Sequence, residues 1–221
     1  MSASSDAAPL GLLGGTFDPV HFGHLRLAEE ARETLRLAEV ALIPAGTPPH
    51  RDDPGAPAEH RLAMVELAVA GNPALRCEDL EVRSSGRSYT VLTLERLRAR
   101  AGPARPLVLI LGADAFAGLS AWHRSDELLG LAHIAVASRP GHRLPDPLPD
   151  ALARLCAGRI APDVAALRAA PAGHVVPFDM TPLSISATAV RDAVARSRSV
   201  RYLLPDSVVD YIGRHFLYRG T

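Results

Sequence analysis

The chain contains no lysine, so all 24 of its basic residues are arginine, and they are balanced by 24 aspartates and glutamates. A P-loop of the form G-x-x-x-x-G-K-[ST] needs a lysine to reach the phosphates, which excludes an ordinary P-loop NTPase. A formal charge of zero gives no overall field to draw the chain to nucleic acid or to an anionic membrane, and neither is expected as a partner. Any anion must be bound locally. Cysteine is nearly absent as well: Cys77 and Cys156 lie far apart without CxxC spacing, so neither a zinc site nor a disulfide framework is suggested. No apolar run approaches the ~18 residues of a membrane span, and residues 1–9 lack the basic start and apolar core of a signal peptide. A cytoplasmic protein with reduced thiols is expected. With about 150 residues per domain as a guide, 221 residues predict one domain over 1–221, of which 1–8 form a flexible tail and 144–171 a variable segment.

What is present is an alternation of apolar runs with helical patterns. Leu10 to Leu13, Val40 to Ile43, Leu75 to Val82, Leu107 to Leu111, Ile134 to Ala137 and His174 to Val176 read as strands. Helices are predicted after Gly23, over Ala58 to Ala70, from near Ser88 to Ala101, from near Ser186, and from Pro205 or Asp206. Such βαβα order predicts an α/β fold with a doubly wound parallel sheet and C-terminal helices. Pro44 to Pro57 and Arg139 to Pro149 are proline-rich and read as surface loops, and Asp150 to Ala172 as one or two short helices broken by Gly158 and Pro162. Ligands of such sheets bind beyond the carboxyl ends of strands. Three candidate segments follow strands: Gly14 to His24, Pro44 to Arg51 and Gly112 to Asp114.

Gly14-Gly15-Thr16-Phe17-Asp18-Pro19-Val20-His21-Phe22-Gly23-His24 is the most informative of these. The paired glycines allow a tight turn, and Leu25, Ala28, Ala31 and Leu35 recur at helical spacing after it, so a nucleotide's phosphates are expected at the helix start. His21 and His24 are three apart and share a face if the helix has begun by His21, and two imidazoles there can donate to a phosphoryl group gaining charge. A capping and a packed histidine would be the bland alternative, and a metal pair lacks a third ligand at diagnostic spacing. Asp18, between Phe17 and Pro19, is read as fixing the turn rather than as a magnesium ligand. His60, His133, His142, His174 and His215 have no such context and are expected to serve locally.

The stretch G-G-T-F-D-P-V-H-F-G-H resembles the signature of the H-x-G-H nucleotidylyltransferases and, more narrowly, of the bacterial nicotinate mononucleotide adenylyltransferase family. Ile185-Ser186-Ala187-Thr188-Ala189-Val190-Arg191 is similar to the I-S-x-T-x-x-R of that superfamily. The resemblance implies a Rossmann-like sheet and transfer of AMP from ATP to nicotinate mononucleotide, giving nicotinate adenine dinucleotide and pyrophosphate without a covalent enzyme intermediate. It implies catalytic roles for His21, His24 and Arg191, and ATP binding by Gly14, Gly15, Thr16, Phe17, Gly23, Gly112, Asp114, Ser186 and Thr188. It also implies binding of the acceptor by His50 and Arg51 in a P-P-H-R loop, by Thr90 in S-Y-T, and by Trp122 and His123. Ser186 independently suits an N-cap, and Thr188 and Arg191 share a helical face.

Magnesium is expected with ATP because it neutralises a triphosphate, bound mostly through phosphates and water. A homo-oligomer is left open. The alternatives are less well matched. A pantetheine-phosphate adenylyltransferase carries Thr where His21 stands, a non-catalytic sensor would be expected to lose His24 or Arg191, and a dinucleotide-binding dehydrogenase requires a G-x-G-x-x-G that is absent.

Overall fold

Continuous apolar runs of five or six residues bury well only where both faces of a sheet are covered, as parallel sheets require. The computed structural model, which describes residues 8–48, 54–138, 144, 147–161 and 163–219, places these runs in a six-stranded parallel sheet. Its strands are β1 (Leu10–Gly15), β2 (Glu39–Pro44), β3 (Leu75–Cys77), β4 (Leu107–Gly112), β5 (His133–Ser138) and β6 (Val175–Asp179), in the order β3-β2-β1-β4-β5-β6. Leu10 lies opposite Leu107, Leu109 opposite Ile134 and Ala135 opposite Val176. Every residue of β5 is buried, as are the first five of β4. The order reverses between β1 and β4, the kind of switch beyond which such sheets bind ligands.

Between the strands run α1 (Phe22–Thr34), α2 (Ala58–Val69), α3 (Thr90–Ala101), α4 (Ala113–Ala117), α5 (Leu128–Leu131), α6 (Asp150–Leu155) and α7 (Ala166–Ala169), and after β6 come α8 (Ala187–Ala195) and α9 (Asp206–Arg214). The helices expected from periodicity are present. Four short ones, α4 to α7, are too brief for a helical period to declare itself, although α6 and α7 fill the segment read as one or two short helices. Gly158 breaks that segment with a φ of 68°.

Two strand boundaries differ from expectation. β3 stops at Cys77 instead of reaching Val82, because the backbone closes in turns: Arg83 N–H donates to Asp79 O at 3.0 Å and Ser84 N–H to Glu81 O at 3.2 Å. α3 opens two residues later than Ser88, whose hydroxyl instead accepts from Gly46 N–H at 2.9 Å. β6 continues through Pro177, which an edge strand tolerates because an outward-facing N–H is dispensable there.

The described residues cluster into two compact units. The first comprises 8–13, 29–40 and the described part of 89–181, and centres on β4, β5 and β6 with Leu94, Leu97, Phe116, Leu119 and Leu128 buried. The second comprises 14–28, the described part of 41–88, and 182–219. In it α2 packs on β3 and α9, with Met64, Val65, Val208 and Ile212 buried.

Candidate active site

Within the second unit, the backbone leaving β1 meets the first turn of α8 around a cavity of about 820 Å³. Gly14 to Asp18, His21, His24, Pro54, Gly55, Ile185 to Thr188 and Arg191 line it. The volume suits a nucleotide-sized ligand. The two glycines are here for space rather than for a turn: neither has positive φ, and the left-handed residue is Phe17, at 49°. A Cβ on Gly14 would meet nothing within 4 Å, leaving its backbone open to a ligand, whereas one on Gly15 would sit 3.2 Å from the Phe17 ring. Phe17 is buried and meets His24 edge-on, with ring centroids 4.9 Å apart.

His21 and His24 stack, their ring centroids 3.8 Å apart and 22° from parallel. His21 precedes α1 and its carbonyl accepts from His24 N–H at 2.9 Å. In return His21 N–H donates to Nδ1 of His24 at 3.3 Å, which places the proton of a neutral His24 ring on Nε2. His21 is buried, and desolvation depresses its pKa to about 4, so the ring is neutral near pH 7. Its Nδ1 has no hydrogen-bond partner among the described residues. Gly23 makes the stack feasible, because a Cβ there would lie 3.0 Å from His21 Nδ1 and Cε1.

The phosphates were expected at the start of α1, where Phe22 N–H is bonded to Leu203 O at 3.0 Å and His24 of the first turn lines the cavity. α8 brings a second helix start to the same cavity. Ser186 caps it as expected, its hydroxyl accepting from Ala189 N–H at 3.1 Å, while Ala187 and Thr188 present first-turn N–H groups at the cavity. Thr188 Oγ1 lies 3.5 Å from an Arg191 nitrogen, so the expected shared face is realised.

Asp18 organises this unit more widely than a turn residue would. Its carboxylate accepts from Gly55 N–H at 2.7 Å, Ala56 N–H at 3.1 Å and Tyr218 Oη–H at 2.7 Å, and lies 3.5 Å from Arg191. Arg191 also donates to Asp18 O at 2.7 Å, which holds the guanidinium at the cavity. A carboxylate so engaged is a poor metal ligand, and no cluster of three His, Cys, Asp or Glu suited to a metal occurs among the described residues. Tyr218 and the buried Arg61, which donates to four backbone carbonyls, are central to the site yet carry no local sequence signal.

The remaining candidates lie in the first unit. Gly112 ends β4 and Asp114 is exposed in the first turn of α4. Thr90 is the first residue of α3, and its N-cap Tyr89 packs on His123 with ring centroids 4.4 Å apart. Trp122 is half-buried rather than a core residue. The neighbouring Arg124 pairs with Glu95 of α3 at 2.7 Å, fixing residues 122–123 beside the start of α3. His50 and Arg51 lie outside the described residues.

Comparison with known proteins assigns this arrangement to a family. Residues 12–193 match the cytidylyltransferase-like family. The chain is 55% identical to a probable nicotinate-nucleotide adenylyltransferase of Dechloromonas aromatica, over 96% of this chain and 99% of that protein. It is 50% identical to one of Pseudomonas fluorescens, over 96% and 97% respectively. Its fold resembles that of Plasmodium falciparum nicotinic acid mononucleotide adenylyltransferase complexed with NaAD, at a TM-score of 0.71 and 15% identity, covering 96% of this chain and 97% of that one. By the extent and identity of these matches, the chain belongs to the nicotinate-nucleotide adenylyltransferases within the cytidylyltransferase-like family.

Proposed function

We propose that the protein transfers AMP from ATP to nicotinate mononucleotide, acting in the cytoplasm as a single nucleotidylyltransferase domain. An oxygen of the mononucleotide's phosphate forms a bond to the α-phosphorus of ATP, the bond from that phosphorus to the β-phosphate oxygen breaks, and pyrophosphate leaves with the electron pair. One observation carries this reading: the stacked His21 and His24, Arg191 and the first turn of α8 all line one cavity. These are donors suited to an anion whose charge grows in the transition state.

His24, with its Nε2 proton, and Arg191 stabilise that charge, and neutral His21 is a hydrogen-bond partner rather than an acid at neutral pH. The open backbone of Gly14, Gly15 and Thr16, with Ser186 and Thr188, receives the phosphates, and Gly112 and Asp114 the nucleoside. Trp122 stacks on the acceptor's pyridine, the backbone N–H groups of Thr90 and His123 take its carboxylate, and His50 and Arg51 approach its phosphate. Magnesium enters as part of the substrate, bound to ATP phosphates, because the Asp18 carboxylate is already engaged.

The reading is tested by pyrophosphate release from ATP with nicotinate mononucleotide, nicotinamide mononucleotide or phosphopantetheine offered separately. Turnover is expected with the first and to a lesser degree with the second. Turnover with phosphopantetheine alone would overturn the acceptor assignment. His24→Ala is expected to lower kcat by about 100-fold or more with the fold retained, and near-normal pyrophosphate release by the folded variant would remove His24 from catalysis.

A further inference from the structure

Arg61, on the first turn of α2, is 1% exposed, and the reaction described above makes no use of it. Its guanidinium donates from Nε to Ala56 O at 3.1 Å, from Nη1 to Thr16 O at 2.8 Å and Ala45 O at 2.6 Å, and from Nη2 to Gly46 O at 2.9 Å. All four acceptors are neutral carbonyls. They belong to three separate segments: the backbone leaving β1, the backbone leaving β2, and the residues entering α2. Thr16 lines the cavity, and so does Gly55, the neighbour of Ala56.

A buried cation whose hydrogen-bond acceptors among the described residues are all neutral carbonyls is an expensive way to stabilise a fold. Desolvating a guanidinium costs several kcal/mol, and apolar replacements of similar volume are often neutral or stabilising. Desolvation lowers the Arg61 pKa and the fields of Asp18, Tyr218, Glu59 and Glu81 raise it, yet Asp18, the strongest of these, is bonded elsewhere, to Gly55, Ala56 and Tyr218. Among the described residues no carboxylate hydrogen-bonds this charge directly, and it lies beneath a cavity whose expected occupant is a polyanion. Geometry reinforces the point. Gly46 can carry no side chain, because a Cβ would fall 2.4 Å from Glu81 O, and Ala45 N–H is tied to Gly15 O at 2.9 Å. The strand ends clamped by Arg61 thus have a single backbone path.

We infer that Arg61 is a positioning residue for the triphosphate: its planar fork sets the spacing of the three backbone segments under the cavity, and its buried charge offsets that of the bound phosphates. This rests on the proposed use of ATP, since the three segments are otherwise only a structural junction. The two parts of the role separate by substitution. Arg61→Lys keeps the charge and loses the fork, whereas Arg61→Met keeps an apolar stem and loses both.

The test measures ATP and mononucleotide KM, kcat, melting temperature and the calorimetric affinity for inorganic tripolyphosphate, for the full chain and both variants. Arg61→Lys is expected to raise the ATP KM and weaken tripolyphosphate binding by about tenfold, and Arg61→Met by about 100-fold, while the KM for nicotinate mononucleotide stays within about twofold. Unchanged tripolyphosphate affinity in folded variants overturns the inference. So does a fall in kcat that tracks the folded fraction with both KM values unmoved, which is the signature of a structural role. Should Arg61→Lys fail to melt cooperatively, Arg61→Met carries the same readouts; failure of both to fold assigns Arg61 to the fold and also overturns the inference. A wild-type chain that binds tripolyphosphate but does not adenylylate the mononucleotide sinks the functional reading and leaves the Arg61 test standing on the binding arm.

Discussion

The HxGH spacing has a packing reason as well as a chemical one. His21 and His24 stack against a residue 23 without a side chain, where a Cβ would press on the His21 ring at 3.0 Å. Gly23→Ala is therefore expected to displace His21 and lower kcat by about tenfold or more, with a melting temperature close to that of the parent. Steady-state kinetics beside a thermal melt checks this, and full activity in the variant would show that the stack is dispensable. His21 also makes a pH prediction. Its folded pKa of about 4 lies below the ordinary imidazole value of 6.5, so the unfolded chain binds a proton that the native state refuses. The stability this contributes is complete above about pH 6.5 and is lost as pH falls toward 4, with a slope of up to about 1.4 kcal/mol per pH unit. Melting temperatures across pH 4.5 to 7.5 should fall on the acid side, less steeply in His21→Gln. An equal slope in that variant would assign the loss to other groups, among which His133, also depressed by burial, is the first to examine. At this scale the linear motifs were legible, and Arg61 was not, because its acceptors are carbonyls as much as 45 residues away.

At the scale of the element, α8 reaches the cavity through a side-chain-capped first turn. Its N-cap is a side chain, Ser186, and its first turn lines the cavity, whereas the first amide of α1 is bonded to Leu203. Ser186→Ala is expected to destabilise the protein by about 1 kcal/mol, which corresponds to roughly 2–4 °C for a chain of this size. Fraying of that turn should also raise the KM for ATP, through Thr188 and the Arg191 three residues on. Ser186→Gly should lose only a few tenths of a kcal/mol. If the Ala and Gly variants melted alike and bound ATP like the parent, the cap would have no part in the site. Element types were readable because strands buried on both faces are uninterrupted apolar runs. Ends were less so, since Ser88 and the turns after Cys77 answer to partners that periodicity does not see.

At the scale of the whole molecule, zero formal charge means that anion binding rests on local donors rather than on long-range attraction. The value of kcat/KM for ATP at saturating mononucleotide should fall by less than about tenfold between roughly 0.05 and 0.5 M salt. A fall of several hundredfold would demand an extended basic surface that the charge balance does not provide. Among the described residues, no helix is long and apolar enough to cross a membrane.

The sequence by itself determined the alternation of strands and helices, the family and the residues of the two linear signatures. Each of those is written in neighbouring positions: a buried parallel strand needs a contiguous apolar run, and an H-x-G-H pair or a capped helix start is complete within a few residues. Only the tertiary structure decided that Asp18 holds Gly55, Ala56, Arg191 and Tyr218 together, that the first turn of α8 meets the His21–His24 pair at one cavity, and that Arg61 lies buried under the backbone leaving β1 and β2. Those facts depend on backbone carbonyls and amides, which every residue carries alike. Their use is settled only when distant segments pack and a buried polar group must find its partner.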